Sequence, residues 1–72
     1  MVEMVYVDSS NIEAIGYDAD AQELHVQFLS GGLYVYRGVP PEVHEGLMAA
    51  PSKGSYLNRE IKGRGYEFTR QG

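Results

Sequence analysis

The stretch ELHVQFLSGGLYVY, residues 23–36, decides the fold of this chain. In its first half, Leu24, Val26 and Phe28 are apolar and the residues between them are polar. Successive side chains of a β-strand point to opposite faces, so this alternation predicts a strand with one buried face. The residues Ser30-Gly31-Gly32 predict a turn, and the aliphatic and aromatic run after them predicts a second strand. We therefore expect a β-hairpin.

The register of this hairpin depends on the length of its turn. A two-residue turn would place Leu33 and Val35 on the core face. A three-residue turn, with Gly32 left-handed, would place Tyr34 and Tyr36 there instead. We favour the three-residue turn, because two tyrosines bury more area than Leu and Val do. The aliphatic pair would then form a small patch on the opposite face or lie under a terminal segment.

A strand before this hairpin completes a meander. The turn-forming run Asp18-Ala19-Asp20 separates it from the next strand. Pairing Tyr17 with Leu24 aligns Ile15 with Val26, so that all four side chains share one face. Short loops make sequential strands neighbours, which predicts a three-stranded antiparallel meander. The predicted strands cover about residues 12–18, 23–29 and 33–38.

Two short helices are predicted to follow and to pack on one face of the sheet. Val39, Val43 and Leu47 recur at the spacing of a helical stripe, and Pro51 ends this first helix. Ser52 is suited to cap the second. The predicted helices cover about residues 41–50 and 53–62. Residues 1–7 alternate only in part, as an edge strand or a loose arm would, and residues 66–68 predict a short final strand.

These elements together predict a single α+β domain over residues 1–72, with its core in about residues 9–68. The predicted core residues are those that the strand and helix periods turn inward. They are Ile15, Tyr17, Leu24, Val26, Phe28, Tyr34, Tyr36, Val39, Val43, Leu47, Leu57 and Ile61.

Composition excludes several classes of protein. The chain has no cysteine, so disulfides and thiolate metal sites are excluded. No apolar run approaches the roughly 18 residues that span a bilayer, and the N-terminus lacks the pattern of a signal peptide. We therefore expect a cytoplasmic protein with no membrane partner.

The charges are divided unevenly along the chain, whose net charge is −4. Before residue 52, eight acids stand against Arg37 alone, whereas five bases stand against two acids after it. Such a division is compatible with an anionic partner. The charge division is more simply explained by two halves that attract each other, or by charges that are solvated.

An ordered set of short motifs, spread over about residues 9–68, resembles the KTSC domain family, which is named for a C-terminal extension of some lysyl-tRNA synthetases. The motifs are Ile15-Gly16-Tyr17-Asp18, Leu24-His25-Val26-Gln27-Phe28, Tyr34-Val35-Tyr36, Val39-Pro40, Ser52-Lys53-Gly54-Ser55-Tyr56-Leu57-Asn58 and Ile61-Lys62. The resemblance implies a family that also includes small stand-alone bacterial proteins, for which RNA binding is a hypothesis. It brings no catalytic residues, and it favours the three-residue turn.

The sequence offers few residues that could form a catalytic site or a metal site. His25 and His44 are the only histidines, and nothing in the sequence places a third ligand beside them. The serines fall in turns and helix caps, where their hydroxyls satisfy backbone amides. We therefore expect no metal, no cofactor and no enzymatic activity.

The basic residues after position 52 are the best candidates for a binding site. Positive charge beside aromatic rings is how single-stranded RNA is held, through its backbone and by base stacking. The start of the second helix also offers free amides and hydroxyls for one phosphate. The candidate residues are Lys53, Ser55, Tyr56, Arg59, Lys62, Arg64 and Tyr66.

Two functions therefore remain open from the sequence. The first is a small non-catalytic binding module that holds RNA, in particular tRNA, weakly. The alternative is a module for protein–protein interaction or homo-oligomerisation, which rests on an uncovered aliphatic face at Leu33 and Val35.

Overall fold

The structure, a computed structural model, describes residues 2–71. Five antiparallel strands form one sheet in the order of the chain. They are β1 (Val5–Tyr6), β2 (Ile12–Asp18), β3 (Glu23–Phe28), β4 (Leu33–Arg37) and β5 (Phe68–Arg70). Between β4 and β5 lie α1 (Pro41–Ala49), α2 (Lys53–Glu60) and a 3-10 turn (Lys62–Arg64). The α+β class is therefore confirmed.

The predicted three-stranded meander undercounts the strands. Its strands are present as β2, β3 and β4, and a short strand is added at each edge. Elements of two or three residues are too short to show a period, so the sequence only hinted at them. β5 reaches its place because Gly65, at a φ of 75°, reverses the chain after the 3-10 turn. It begins two residues later than the predicted final strand, residues 66–68.

The β2–β3 hairpin has the predicted register, with Tyr17 opposite Leu24 and Ile15 opposite Val26. The register shifts just after Ile12, which leaves one extra residue on β2. Such a β-bulge moves the side chains that precede it to the other face of the strand. As a result, both isoleucines of β2 belong to the core, although their spacing would separate them on a regular strand.

The turn between β3 and β4 has three residues, as predicted, but it begins one residue earlier. Leu29, expected at the end of the strand, is the first residue of the turn and is 56% exposed. The left-handed glycine is therefore Gly31, at a φ of 108°, and not Gly32. The predicted face is right, because Tyr34 and Tyr36 pair with core residues of β3 and share their face.

Both helices cover this face, and the core lies between them and the sheet. Of the predicted core residues, Tyr17, Tyr34 and Val43 are only half-buried. The Tyr17 hydroxyl donates a hydrogen bond to the carbonyl of Val39, which ties β2 to the start of α1. The other predicted core residues are buried, and the structure adds Ile12 to them. Ala14 and Val35 are also buried but do not belong to this cluster.

The opposite face of the sheet is partly covered by the N-terminal arm. A Cβ at Gly16 would lie 2.4 Å from Val2 Cγ1 and 2.6 Å from Met4 Sδ, so the arm packs directly on β2. On the same face Val35 is buried and Leu33 is half-buried. Of the two predicted alternatives for this pair, the open aliphatic patch is therefore wrong.

Candidate aromatic and basic groove

The predicted binding residues lie in two places, and the first is the junction of the two helices. A cavity of about 420 Å³ opens there. The predicted residues that line it are Ser55, Tyr56 and Arg59. Its polar groups serve the helices, because Ser52 Oγ accepts from the Ser55 N–H at 3.4 Å and Lys53 Nζ donates to the Ala50 carbonyl at 3.3 Å. These bonds cap α2 and satisfy a carbonyl just beyond the end of α1.

Two of the predicted cations share one carboxylate. Arg59 Nε lies 3.0 Å from Glu60 Oε2, and Arg64 Nη2 lies 3.1 Å from Glu60 Oε1. The hydrogen bonds from Arg59 and then Arg64 hold the pKa of Glu60 below its ordinary value. Exposed ion pairs of this kind add little to stability. They do reduce the positive charge that the two arginines present to an anion.

The second place is a groove between the outer strands of the sheet and the segment that follows α2. Its volume is about 500 Å³. The residues that line it are Tyr34, Tyr36, Lys62, Gly65, Tyr66 and Phe68. Lys62 and Tyr66 belong to the predicted binding set, so the structure brings two of the candidates together here. The remaining candidates do not line this groove.

Aromatic rings form the floor and one wall of the groove. Phe28 meets Tyr34 edge to face, with centroids 5.3 Å apart. The Phe68 ring lies 5.6 Å from that of Tyr34 and 5.5 Å from that of Tyr36. Tyr36 is 2% exposed whereas Phe68 is 54% exposed. The groove is therefore apolar and sealed at its base, with an accessible ring at its rim.

Positive charge stands at one end of the groove. Lys62 Nζ lies 5.1 Å from the centroid of Phe28, and Arg70 Cζ lies 5.8 Å from that of Tyr34. Since these two rings are in contact, both cations flank the same pair of aromatics. Within residues 2–71, Lys62 has no ion-pair partner. Its charge is therefore available to an anion that enters the groove.

The Tyr36 hydroxyl is a polar group at the base of the groove. In the described part of the chain this hydroxyl has no hydrogen-bond partner, and its oxygen is not cut off from solvent. Burial, and secondarily the nearby Tyr34, raises the pKa of Tyr36. The phenol therefore stays protonated near neutral pH and can donate a hydrogen bond.

Phe68 is the groove residue that sequence reasoning missed. Aromatic residues at 66 and 68 indicated a short strand, but nothing in the sequence says which strand it pairs with. Pairing of Phe68 with Tyr36 in the β4–β5 register creates the wall of the groove. That contact joins residues far apart in the chain, so the local sequence pattern around residue 68 does not predict it.

The two histidines lie in separate surroundings. His44 stacks on Tyr17 with centroids 4.6 Å apart, and burial lowers the pKa of His44 although Glu45 opposes this. His25 Nε2 is buried without a hydrogen bond and lies 3.7 Å from Glu23 Oε1. Within the described residues, no three His, Cys, Asp or Glu side chains are grouped as a metal ion would require. No helix in residues 2–71 is long and apolar enough to cross a membrane.

A family model for the KTSC domain matches residues 8–66, most of the chain. The chain belongs to the KTSC domain family. The family match ends at Tyr66, so Phe68 and Arg70 of the groove lie just beyond it. A crystal structure of a KTSC domain protein from Yersinia pestis superposes with a TM-score of 0.95, at 39% identity and over 100% of both chains.

Relatives of this KTSC domain occur both as small proteins and inside a larger one. An uncharacterized protein of Stutzerimonas stutzeri is 42% identical over 66 residues, which is 92% of this chain and 93% of the relative. A lysine–tRNA ligase of Nostoc punctiforme is 44% identical over 57 residues. That match covers 79% of this chain but only 10% of the ligase. The same fold therefore exists by itself and as a small part of an enzyme.

Proposed function

We propose that this KTSC domain is a non-catalytic module that binds single-stranded segments of RNA weakly through the aromatic groove. The observation that carries the proposal is the placement of the exposed Phe68 ring and the Lys62 ammonium on one groove. An accessible ring offers a stacking surface to any base, and a nearby cation attracts the phosphate backbone. Stacking and charge by themselves hold RNA with little dependence on its sequence.

The presence of a similar segment in lysine–tRNA ligases supports tRNA as the class of RNA. The net charge of −4 opposes tight binding, because the acidic surface repels a polyanion from most orientations. Binding is therefore weak and strongly dependent on salt. Each neutralised phosphate of a single strand contributes a log–log slope of about −0.7, so three or four contacts give roughly −2 to −3.

The alternative function, interaction with another protein or with a second copy, loses its main support. It depended on an open aliphatic face at Leu33 and Val35, and Val35 is buried. Val5 and Tyr6 are exposed on the edge strand β1, but this strand has only two residues and offers a second chain little to pair with. Sedimentation at high protein concentration tests this alternative directly, since a dimer would appear without any RNA.

The decisive experiment titrates the protein with a tRNA and with a polypyrimidine strand at low salt, and fluorescence anisotropy measures the binding. Lys62→Gln should weaken binding and reduce the salt slope by about 0.7. Arg37→Gln is the matched control, because Arg37 alternates with Tyr36 on β4 and lies on the opposite face of the sheet. Absence of binding by the wild-type protein at low salt would end the proposal.

Two further variants change the charge at the C-terminal end of α2, in the residues just before Lys62. The double change Arg59→Glu and Lys62→Glu should abolish binding while the melting temperature hardly moves, since both side chains are exposed. Glu60→Gln should strengthen binding, because it releases both arginines from their shared carboxylate. Asp20→Asn makes the same change of net charge in the β2–β3 turn and should have less effect. Equal effects of the two neutralisations would show that Arg59 and Arg64 have no special role in binding.

A further inference from the structure

We infer that the groove accepts one unpaired nucleotide, whose base enters the aromatic cavity while its phosphate lies at Lys62. This inference rests on the proposed function and specifies the ligand unit that the site takes. Its starting point is the shape of the site: a cavity of about 500 Å³ whose lining includes Tyr66, the exposed ring of Phe68 and the buried ring of Tyr36. That volume is within the range of pockets for small molecules.

The cavity selects an unpaired base over a duplex. In a double helix the faces of the bases are stacked on each other, so the Phe68 ring could not lie against them. In a single strand each base is free to leave the stack and to insert against an aromatic ring. Tyr36, which is 2% exposed, closes the base of the site.

Two polar groups fix how the nucleotide lies. The Lys62 ammonium stands over Phe28 at one end, where the phosphate must lie to be neutralised. The Tyr36 hydroxyl, protonated and without a partner in residues 2–71, donates to an acceptor on the base edge. The groove therefore favours a base that presents a carbonyl oxygen, as uracil does.

The test compares two probes of equal length and charge, a ten-nucleotide uridine oligomer and an abasic ten-unit oligomer, at low salt. Loss of base stacking typically costs about 5- to 150-fold in affinity, so the uridine oligomer should bind tighter by a factor in this range. Phe68→Ala should remove most of this difference. Tyr6→Ala is the matched control, because Tyr6 is an exposed aromatic residue on the opposite edge of the sheet.

Tyr36→Phe provides a second, conservative variant that keeps the ring in the core. Loss of one hydrogen bond should weaken binding of the uridine oligomer by about two- to tenfold and leave the abasic oligomer unchanged. Equal binding of the two oligomers by the wild-type protein would overturn the single-nucleotide site while leaving electrostatic RNA binding in place. Failure of both oligomers and of tRNA to bind would overturn the proposed function itself.

Discussion

The helix-covered face of the sheet has a closed half and an open half. In the closed half, the side chains of Ile15, Leu24, Val26 and Tyr36 are buried under the helices. On β5, Phe68 is 54% exposed although Tyr36, its partner in the register, is 2% exposed. These two aromatic rings have centroids only 5.5 Å apart, yet one is exposed to solvent and the other is buried.

The difference arises from where the helices lie and not from the type of residue. Both halves are apolar, but Tyr36 belongs to the core cluster that includes Leu47 and Leu57 of the helices, whereas Phe68 does not. The chain reaches β5 only after it turns at Gly65, beyond both helices. A covered ring contributes to stability through its buried area. An uncovered ring leaves that area available to a ligand. Substitutions can separate these two roles.

The largest effect is expected from Tyr36→Ala in the closed half. Truncation of a buried aromatic residue typically costs about 3–5 kcal/mol, which is most of what so small a domain possesses. We expect the cooperative unfolding transition, followed by circular dichroism in urea, to be lost. An unchanged melting temperature combined with lost RNA binding would place Tyr36 in the open half instead.

The next effect concerns the close approach of the helices over the closed half. A Cβ at Gly46 would lie 2.1 Å from the Tyr56 hydroxyl oxygen and 2.8 Å from Tyr56 Cζ. Overpacking costs about 1–3 kcal/mol, against roughly 1 kcal/mol that Ala gains over Gly within a helix. We therefore expect Gly46→Ala to lower the urea midpoint.

The control for this prediction is the same substitution in a Tyr56→Ala background. There the overlap is absent, and Gly46→Ala should stabilise the protein through helix propensity alone. A stabilising effect in the wild-type background as well would show that the two helices are not held by this contact.

A smaller effect on stability is expected from Phe68→Ala in the open half. More than half of this side chain is already exposed, so its removal should cost about 1 kcal/mol or less. Thermal denaturation of Phe68→Ala beside Tyr36→Ala measures the contrast between the halves directly. Similar losses in the two variants would mean that the groove is part of the core.

The smallest effect is a dependence of stability on pH in the closed half. Burial lowers the pKa of His44, so the unfolded chain, with a pKa of about 6.5, takes up the proton first as pH falls. Stability should therefore be constant above about pH 7 and decrease as pH falls through 6.5 toward the folded pKa. Urea midpoints of the wild type and His44→Gln, measured from pH 8 to 5, should diverge in this window only. A wild-type midpoint that rises on acidification relative to the variant would mean that folding raises the pKa of His44, contrary to this prediction.

Much of the fold could be predicted because its signals are local. The alternation of Leu24, Val26 and Phe28 and the turn at residues 18–20 were sufficient for the β2–β3 register, which the structure confirms. The helices end one and two residues earlier than predicted, at Ala49 and Glu60. The bulge after Ile12 could not be predicted from the sequence, because one extra residue does not give a strand a recognisable composition.

The candidate site was predictable only in part. Its cations were recognised from the charge division, but their availability was not, since the sharing of Glu60 by Arg59 and Arg64 depends on side-chain geometry. Tyr34 was assigned to the core by its position on the strand. It is half-buried, because one side of it packs against the core and it also lines the groove.

The sequence by itself determined the strands of the meander, their inward faces, the two helices and the basic character of the C-terminal region. These depend on periodicity, turn residues and caps, all of which act within a few residues. Only the tertiary structure decided that β5 pairs with β4, that the N-terminal arm covers Gly16, and that Phe68 remains open beside a buried Tyr36. The physical reason is that burial is a property of the whole packing arrangement, and residues distant in the chain determine it.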